Sequence, residues 1–344
     1  MDEQTRASRA RFLGTVGAAG VAGAAIAGGA WRTSKAGAAA APGRSYSAGH
    51  FALELDGSKE IGFLRSVEGG DAVGEVVREV GSAGYYQKKH IGNVKYEEIT
   101  AEFGMAMSKD VYDWISATLS GNRDQERKSG AIIAADFNYA AKTRREFTDA
   151  LITEVGFPAL DASSKDVAFM TLKLAPDQTV DKPASGKLSS APKQQQKQWL
   201  PSNFRLDIKG LPTGRVNKID AITIKQAIVT DEIGERRDPL KEPGKLEFPN
   251  LVFTLSEVDA QPWLDWFDDF VIQGNNSEED EKTGRLTYLA SNLKDELARL
   301  EFFNLGIFKV STDKAEAVSD TIKRVKVELY CERIEFKYLV GVLA

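Results

Sequence analysis

Catalysis and metal binding need particular side chains brought together, and this chain is short of several of them. It holds two histidines, His50 and His90, and one cysteine, Cys331, in 344 residues. One cysteine excludes an internal disulfide or a thiolate-cluster metal site, and two histidines leave zinc and imidazole chemistry few parts. Carboxylates are plentiful in Asp268-Asp269 and in the run Ser277-Glu278-Glu279-Asp280-Glu281. A glycosidase would need two of them facing each other across a cleft; a calcium loop would need them alternating around a central glycine. The run has no such spacing and reads as a solvated acidic loop. No G-x-x-x-x-G-K-[ST], H-E-x-x-H, G-x-S-x-G or C-x-x-C occurs. Gly14, Gly17 and Gly20 stand three apart with no strand before them, so they form no phosphate loop. No catalytic, cofactor-binding or metal-binding residue is expected, and no enzyme.

The charge balance is mildly acidic: 45 Lys+Arg against 50 Asp+Glu, a net charge of −5. A dedicated nucleic-acid binder would carry a basic excess, so no stable nucleic-acid binding is expected. Basic residues do cluster locally, at Lys88-Lys89-His90, from Arg123 to Lys128, and at Arg144-Arg145. With 42% hydrophobic and 28% charged residues the composition is globular, and the length suits about two domains.

Two stretches stand apart in composition. Residues 1–43 run from Arg6, Arg9 and Arg11 through an Ala/Gly-rich apolar stretch, Phe12 to Ala30, to the tract Ala38-Ala39-Ala40-Ala41-Pro42. Basic head, apolar middle and small-residue tail are the layout of an export signal; a disordered arm is the alternative. Ser8-Arg9-Ala10-Arg11-Phe12-Leu13 resembles a degenerate twin-arginine signal, with Ala10 parting the two arginines. The second stretch, 178–202, is rich in Lys, Pro, Ser and Gln and poor in apolar side chains, which reads as a linker. It leaves blocks of 50–177 and 203–340.

Those blocks match each other. Phe51-Ala52-Leu53-Glu54-Leu55-Asp56-Gly57 recurs as Phe204-Arg205-Leu206-Asp207-Ile208-Lys209-Gly210. One offset of 152 residues carries Lys89 onto Lys241, Gly92 onto Gly244, Tyr96 onto Phe248, Ile99 onto Leu251, and Asp113-Trp114 onto Asp265-Trp266. Matches held at one offset imply an internal duplication. Alternation predicts strands over 51–55, 94–103, 167–174, 204–208, 248–255 and 325–331. Spacing of three and four predicts a helix from Ser108 to Leu119, with Val111, Trp114, Ile115 and Leu119 on one face. A second helix, Gln261 to Phe270, would bury Leu264, Trp266, Phe267 and Phe270. Ser108 and Asp259 are the expected N-caps. Trp114 and Trp266 are expected as structural anchors between helix and sheet. Cys331 falls on the apolar face of its strand, as a small core residue. His90 falls where the second block has Glu242, a poor place for a tuned base.

The stretch Lys88-Lys89-His90-Ile91-Gly92-Asn93-Val94-Lys95-Tyr96-Glu97-Glu98-Ile99-Thr100, followed by Asp113-Trp114, resembles the phage tail tube protein family of contractile tails and injection systems. Ile91 stands where that family usually has proline; the second block keeps the proline, in Lys241-Glu242-Pro243-Gly244, but has Glu247-Phe248 where the family has lysine before the aromatic. Ile61 to Gly69 is similar to the segment after the family's first strand. The resemblance implies a mainly β (α+β) fold of two tandem domains, each with two packed antiparallel sheets and one helix. It implies six-membered rings closing a β-barrel around a channel, here from three two-domain chains or from six chains. It makes the excursion with Tyr85, Tyr86, Lys88, Lys89 and His90 the loop that reaches a neighbouring subunit.

The expected function is thus a structural tube or hub component of a phage-tail-like contractile apparatus, with tube, hub and sheath proteins as partners, in a tail particle or a cytoplasmic assembly. An exported β-rich protein whose duplicated domain binds a glycan or protein ligand is the alternative.

Overall fold

Short alternating runs leave the backbone to satisfy its hydrogen bonds between strands, and the computed structural model is mainly β with two short helices. It describes residues 49–79, 85–104, 107–188, 199–231, 240–312 and 323–339. The basic-headed stretch 1–43 and part of the presumed linker lie outside the described residues. The first half holds β1 (His50–Leu55), β2 (Ser58–Leu64), β3 (Ser66–Gly69), β4 (Ala72–Arg78), β5 (Lys89–Tyr96), β6 (Ile99–Phe103), α1 (Lys109–Ser120), β7 (Lys128–Ala135), β8 (Ala141–Phe157), β9 (Leu160–Asp161), β10 (Met170–Ala175) and β11 (Gln178–Pro183). The second holds β12 (Phe204–Ile208), β13 (Val216–Ile219), β14 (Ile222–Asp231), β15 (Leu240–Glu247), β16 (Leu251–Ser256), α2 (Gln261–Phe267), β17 (Lys282–Leu289), β18 (Glu296–Thr312) and β19 (Arg324–Tyr338). No helix among the described residues is long and apolar enough to cross a membrane.

The strand order β1-β7-β8-β10-β6-β3 of the first half recurs as β12-β17-β18-β19-β16-β13 in the second, all antiparallel. The hairpin β4–β5 recurs as β14–β15, with its register irregularity between Gly74 and Val76 matched between Gln226 and Ile228. Each half is built on a 17-residue strand, β8 or β18. Both strands bulge at the same place, opposite Lys128/Gly130 and Lys282/Gly284. The bulge carries a left-handed residue each time, Asp149 at φ 48 and Asn304 at φ 55. Gly130 is required where it sits, because a Cβ there would lie 2.1 Å from the Glu54 carbonyl oxygen. The turns entering β8 and β18 match too, with Tyr139 at φ 63 and Leu293 at φ 56. An exposed leucine held left-handed is strained. Leu293→Gly is therefore expected to raise stability by about 0.5–1 kcal/mol, net of the extra unfolded-state entropy of glycine; a chemical denaturation midpoint measures it.

One apolar core runs through both halves, from Leu53, Phe103 and Trp114 to Trp263, Leu300 and Val327. Helix α1 buries the expected Val111, Trp114, Ile115 and Leu119 and also Tyr112. Ser108 stands at its N-cap, but its hydroxyl donates to Asp110 instead of accepting a backbone N–H. Helix α2 departs from expectation. A 3-10 turn over Glu257–Asp259 precedes it, so Ala260 holds the cap position, and the helix widens into a π turn over Asp268–Ile272. Its buried face is Trp263, Trp266 and Phe270, while Leu264 is exposed. The aromatics at i, i+3 and i+7 carry more apolar area than Leu264 and Phe267, and area decides which face turns inward.

Three other expectations change. The presumed linker begins with β11, which pairs along β8, and ends with the buried Trp199 edge-on to Tyr288. Strand β11 has no apolar pattern because backbone bonds hold it and its buried Thr179 hydroxyl donates to the Gly70 carbonyl. Strand β1 lies inside its sheet, with β2 paired on one side and β7 on the other, whereas, among the described residues, its counterpart β12 pairs with β17 alone. The run 94–103 breaks into β5 and β6, and Val167 is exposed ahead of β10.

Candidate assembly interface

The halves meet along a seam in which each uses a different face. Strand β14 of the second half pairs antiparallel with the end of β8: Ile222 with Phe157, Thr223 with Gly156, Ile224 with Val155 and Lys225 with Glu154. Beside it, Lys218 and Ile219 of β13 pair with Asp161 and Leu160 of β9. The Phe157 ring lies 5.4 Å from Phe336 and 6.3 Å from Tyr288. Helix α1 reaches across as well: Tyr112 stacks on Tyr338 with centroids 3.9 Å apart, and the Ser116 hydroxyl donates to the Phe336 carbonyl at 3.0 Å.

Charge fixes the rest. The basic cluster before β7 grips hairpin β14–β15. Arg123 donates to the Pro243 carbonyl at 3.0 Å, and Arg127 bonds the Lys241 carbonyl and lies 3.0 Å from Glu242. Lys241 in turn donates to the Pro176 carbonyl at 2.6 Å. Burial pulls its ammonium below the usual lysine range, against the pull of Asp177, whose own carboxyl burial raises. Arg144 bonds Glu54, and Arg145 bonds Asp71, Asp181 and the Gly69 carbonyl, so that cluster is also spent inside the fold.

At β9 the Ser163 hydroxyl and amide, with Lys218 at 3.1 Å, hold the Asp161 carboxyl down to about 2. A depressed carboxyl adds stability that is complete above its ordinary value near 3.8 and is lost as pH falls through about 2. The stability difference between the wild type and Asp161→Asn should therefore shrink as pH falls across that window. Denaturation of both proteins at each pH gives the difference, and a constant gap would remove Asp161 from the account.

The residues expected in the inter-subunit loop take different places. Tyr85 is fully exposed, its ring edge-on to Tyr86 at 5.4 Å, and Lys88 is exposed. Lys89 and His90 belong to β5, paired with Arg78 and Val77. None of the five lies in the seam, yet Lys241 and Glu242, which match Lys89 and His90 in the second half, do. Trp114 and Trp266 sit inside their halves on α1 and α2; the Trp114 indole donates to the Glu126 carbonyl at 2.7 Å. Sequence reasoning missed Trp263, whose indole donates to the Pro212 carbonyl; its spacing from Trp266 and Phe270 was the available signal. His50 stacks on Tyr139 at 3.9 Å, and burial pushes the Cys331 thiol up to about 11. Among the described residues no group of three His, Cys, Asp or Glu could hold a metal ion.

No curated protein matches the chain. Among solved structures it is similar to a chain of the sheath–tube complex of the extracellular contractile injection system PVC in its extended state, at 16% identity over 40% of this chain and 89% of that one, with a TM-score of 0.34. A chain of the PVC sheath/tube terminator gives 22% identity over 41% and 99%, with a TM-score of 0.34. A chain of the anti-feeding prophage baseplate gives 12% over 40% and 92%, with a TM-score of 0.31. Residues 47–179 match the family model of T4-like virus tail tube protein gp19. That span, which takes in every strand from β1 to β10 and helix α1, is what the chain has in common with the tail tube proteins of that family.

Proposed function

We propose that this chain is a structural, non-enzymatic tube or hub component of a phage-tail-like contractile apparatus. Two tail-tube-like domains, 50–177 and 203–340, are joined in tandem, and three chains supply six domains to a ring around a channel. Neighbouring tube, hub or sheath proteins are its partners. The observation that carries the reading is the strand order of the family-matched half, repeated in the second half down to the bulges and left-handed residues.

The seam supports it, because a joint between unlike faces is heterologous and can repeat from chain to chain until it closes. Backbone pairing at such a joint is little affected by salt, unlike exposed ion pairs. Negative-stain microscopy of the full chain should show rings with a central hole, and light scattering should give the same oligomer mass at low salt and at about 0.5 M, where exposed ion pairs are screened. A monomer mass under both conditions at tens of micromolar would overturn the reading. The basic-headed, Ala/Gly-rich stretch 1–43 favours a second reading, an exported binding protein, which predicts that monomer.

A further inference from the structure

The internal seam specifies what the two outer faces of the chain must meet. Resting on the tube reading above, we infer that a second copy of this chain docks β4 against the end of β18, repeating between chains the pairing that β14 makes with β8. The matched positions fix the register. Hairpin β14–β15 stands 152 residues after β4–β5, so the segment Ile222–Lys225 corresponds to Gly70–Val73. The pairings β8–β10 and β18–β19 show the same irregularity, between Lys173/Leu174 and Glu328/Leu329, so the segment Glu154–Phe157 corresponds to Lys309–Thr312. The new pairs are Asp71 with Ser311, Ala72 with Val310 and Val73 with Lys309.

Three observations favour this occupant. From Asp71 and from Lys309 onward both segments have an open edge among the described residues: β4 pairs only with β5, and β18 beyond Leu305 pairs only with β19, whereas Gly70 is already buried with its carbonyl on Thr179. An open edge with apolar neighbours is a docking template.

The apolar surface is also left bare where the seam would repeat. Tyr112 and Thr153, buried at the seam, correspond to Leu264 and Phe308, which are 42% and 39% exposed. Val73 and Ile91 on the opposite face are 44% and 63% exposed.

Charge is complementary across the proposed joint. Arg127 meets Glu242 inside the chain; their counterparts are Glu281, at the end of the acidic run 277–281, and His90, at the end of Lys88-Lys89-His90. The joint sets the acidic run against Lys88 and Lys89, the reverse of the order inside the chain, while Glu281 itself already accepts from Asn304 and Tyr330.

Directly opposed residues in an antiparallel pair lie within disulfide reach. The test is oxidation of the full chain carrying Ala72→Cys and Val310→Cys, run on a non-reducing gel. The native Cys331 is buried and does not compete. The double variant should give covalent dimers and trimers. An equimolar mixture of the two single variants should stop at dimers, and Val76→Cys with Val310→Cys, out of register, should stay monomeric. Rings in the microscope with no cross-link at the first pair would overturn this joint and leave the tube reading standing. Neither rings nor cross-links would overturn both.

Discussion

Replacing Phe157 with alanine should lower the stability of the chain by about 3–5 kcal/mol, the range for deleting a fully buried aromatic ring. Phe157 ends β8 and is 1% exposed. Its backbone pairs with Ile222 while its ring fills the space between Phe336 and Tyr288 of the other half. The loss therefore falls on the joint between the halves more than on either one. Because a single core runs through both, the wild type should unfold in one transition. The variant should unfold earlier, and it is the substitution with the best chance of splitting the transition in two. Denaturant titration followed by Trp fluorescence and by far-ultraviolet dichroism reads both effects. A shift below about 1 kcal/mol with coincident curves would mean that the seam relaxes around the missing ring.

Repetition is what made this fold legible. The offset of 152 residues, read from Lys89, Gly92 and Trp114, places the hairpins, β6 and β16, and both helices at matched positions. It failed where insertions changed the offset. The pair Glu154–Lys173 at 3.1 Å recurs with its signs exchanged as Lys309–Glu328 at 2.7 Å, but 155 residues on and with opposite charges, so no residue match betrays it. The seam was hidden for another reason. Arg123 and Arg127 bond backbone carbonyls of hairpin β14–β15, and a carbonyl leaves no trace in side-chain pattern. Strand β11 escaped notice likewise, since backbone pairing holds a segment whose side chains are mostly exposed. Helix α2 misled through ambiguity: two stripes were available, and only tertiary packing chose between Leu264 and Trp263.

That misjudged leucine gives the sharpest assembly test. Leu264→Asp should leave the single chain within about 0.5 kcal/mol of wild type, as surface substitutions do, because Leu264 is 42% exposed. Its counterpart Tyr112 is wholly buried, stacked on Tyr338 across the seam. If the joint between chains repeats that seam, position 264 meets β11 at Pro183, which pairs with Thr143 as Tyr338 pairs with Ala298, and the new carboxylate must give up its water there. Burying an unpaired charge costs several kcal/mol, and each 1.4 kcal/mol is tenfold in affinity, so self-association should weaken by about a hundredfold or more. Asp265 and Asp268 follow the position at one and four residues, which adds repulsion. Leu293→Asp serves as the control: it is also an exposed leucine, 58% accessible, but it lies on the turn entering β18, and the matching turn at Tyr139 takes no part in the seam. Sedimentation velocity over a concentration series should find wild type and Leu293→Asp assembled where Leu264→Asp is monomeric. Equal association by all three would place the contact between chains on some other surface.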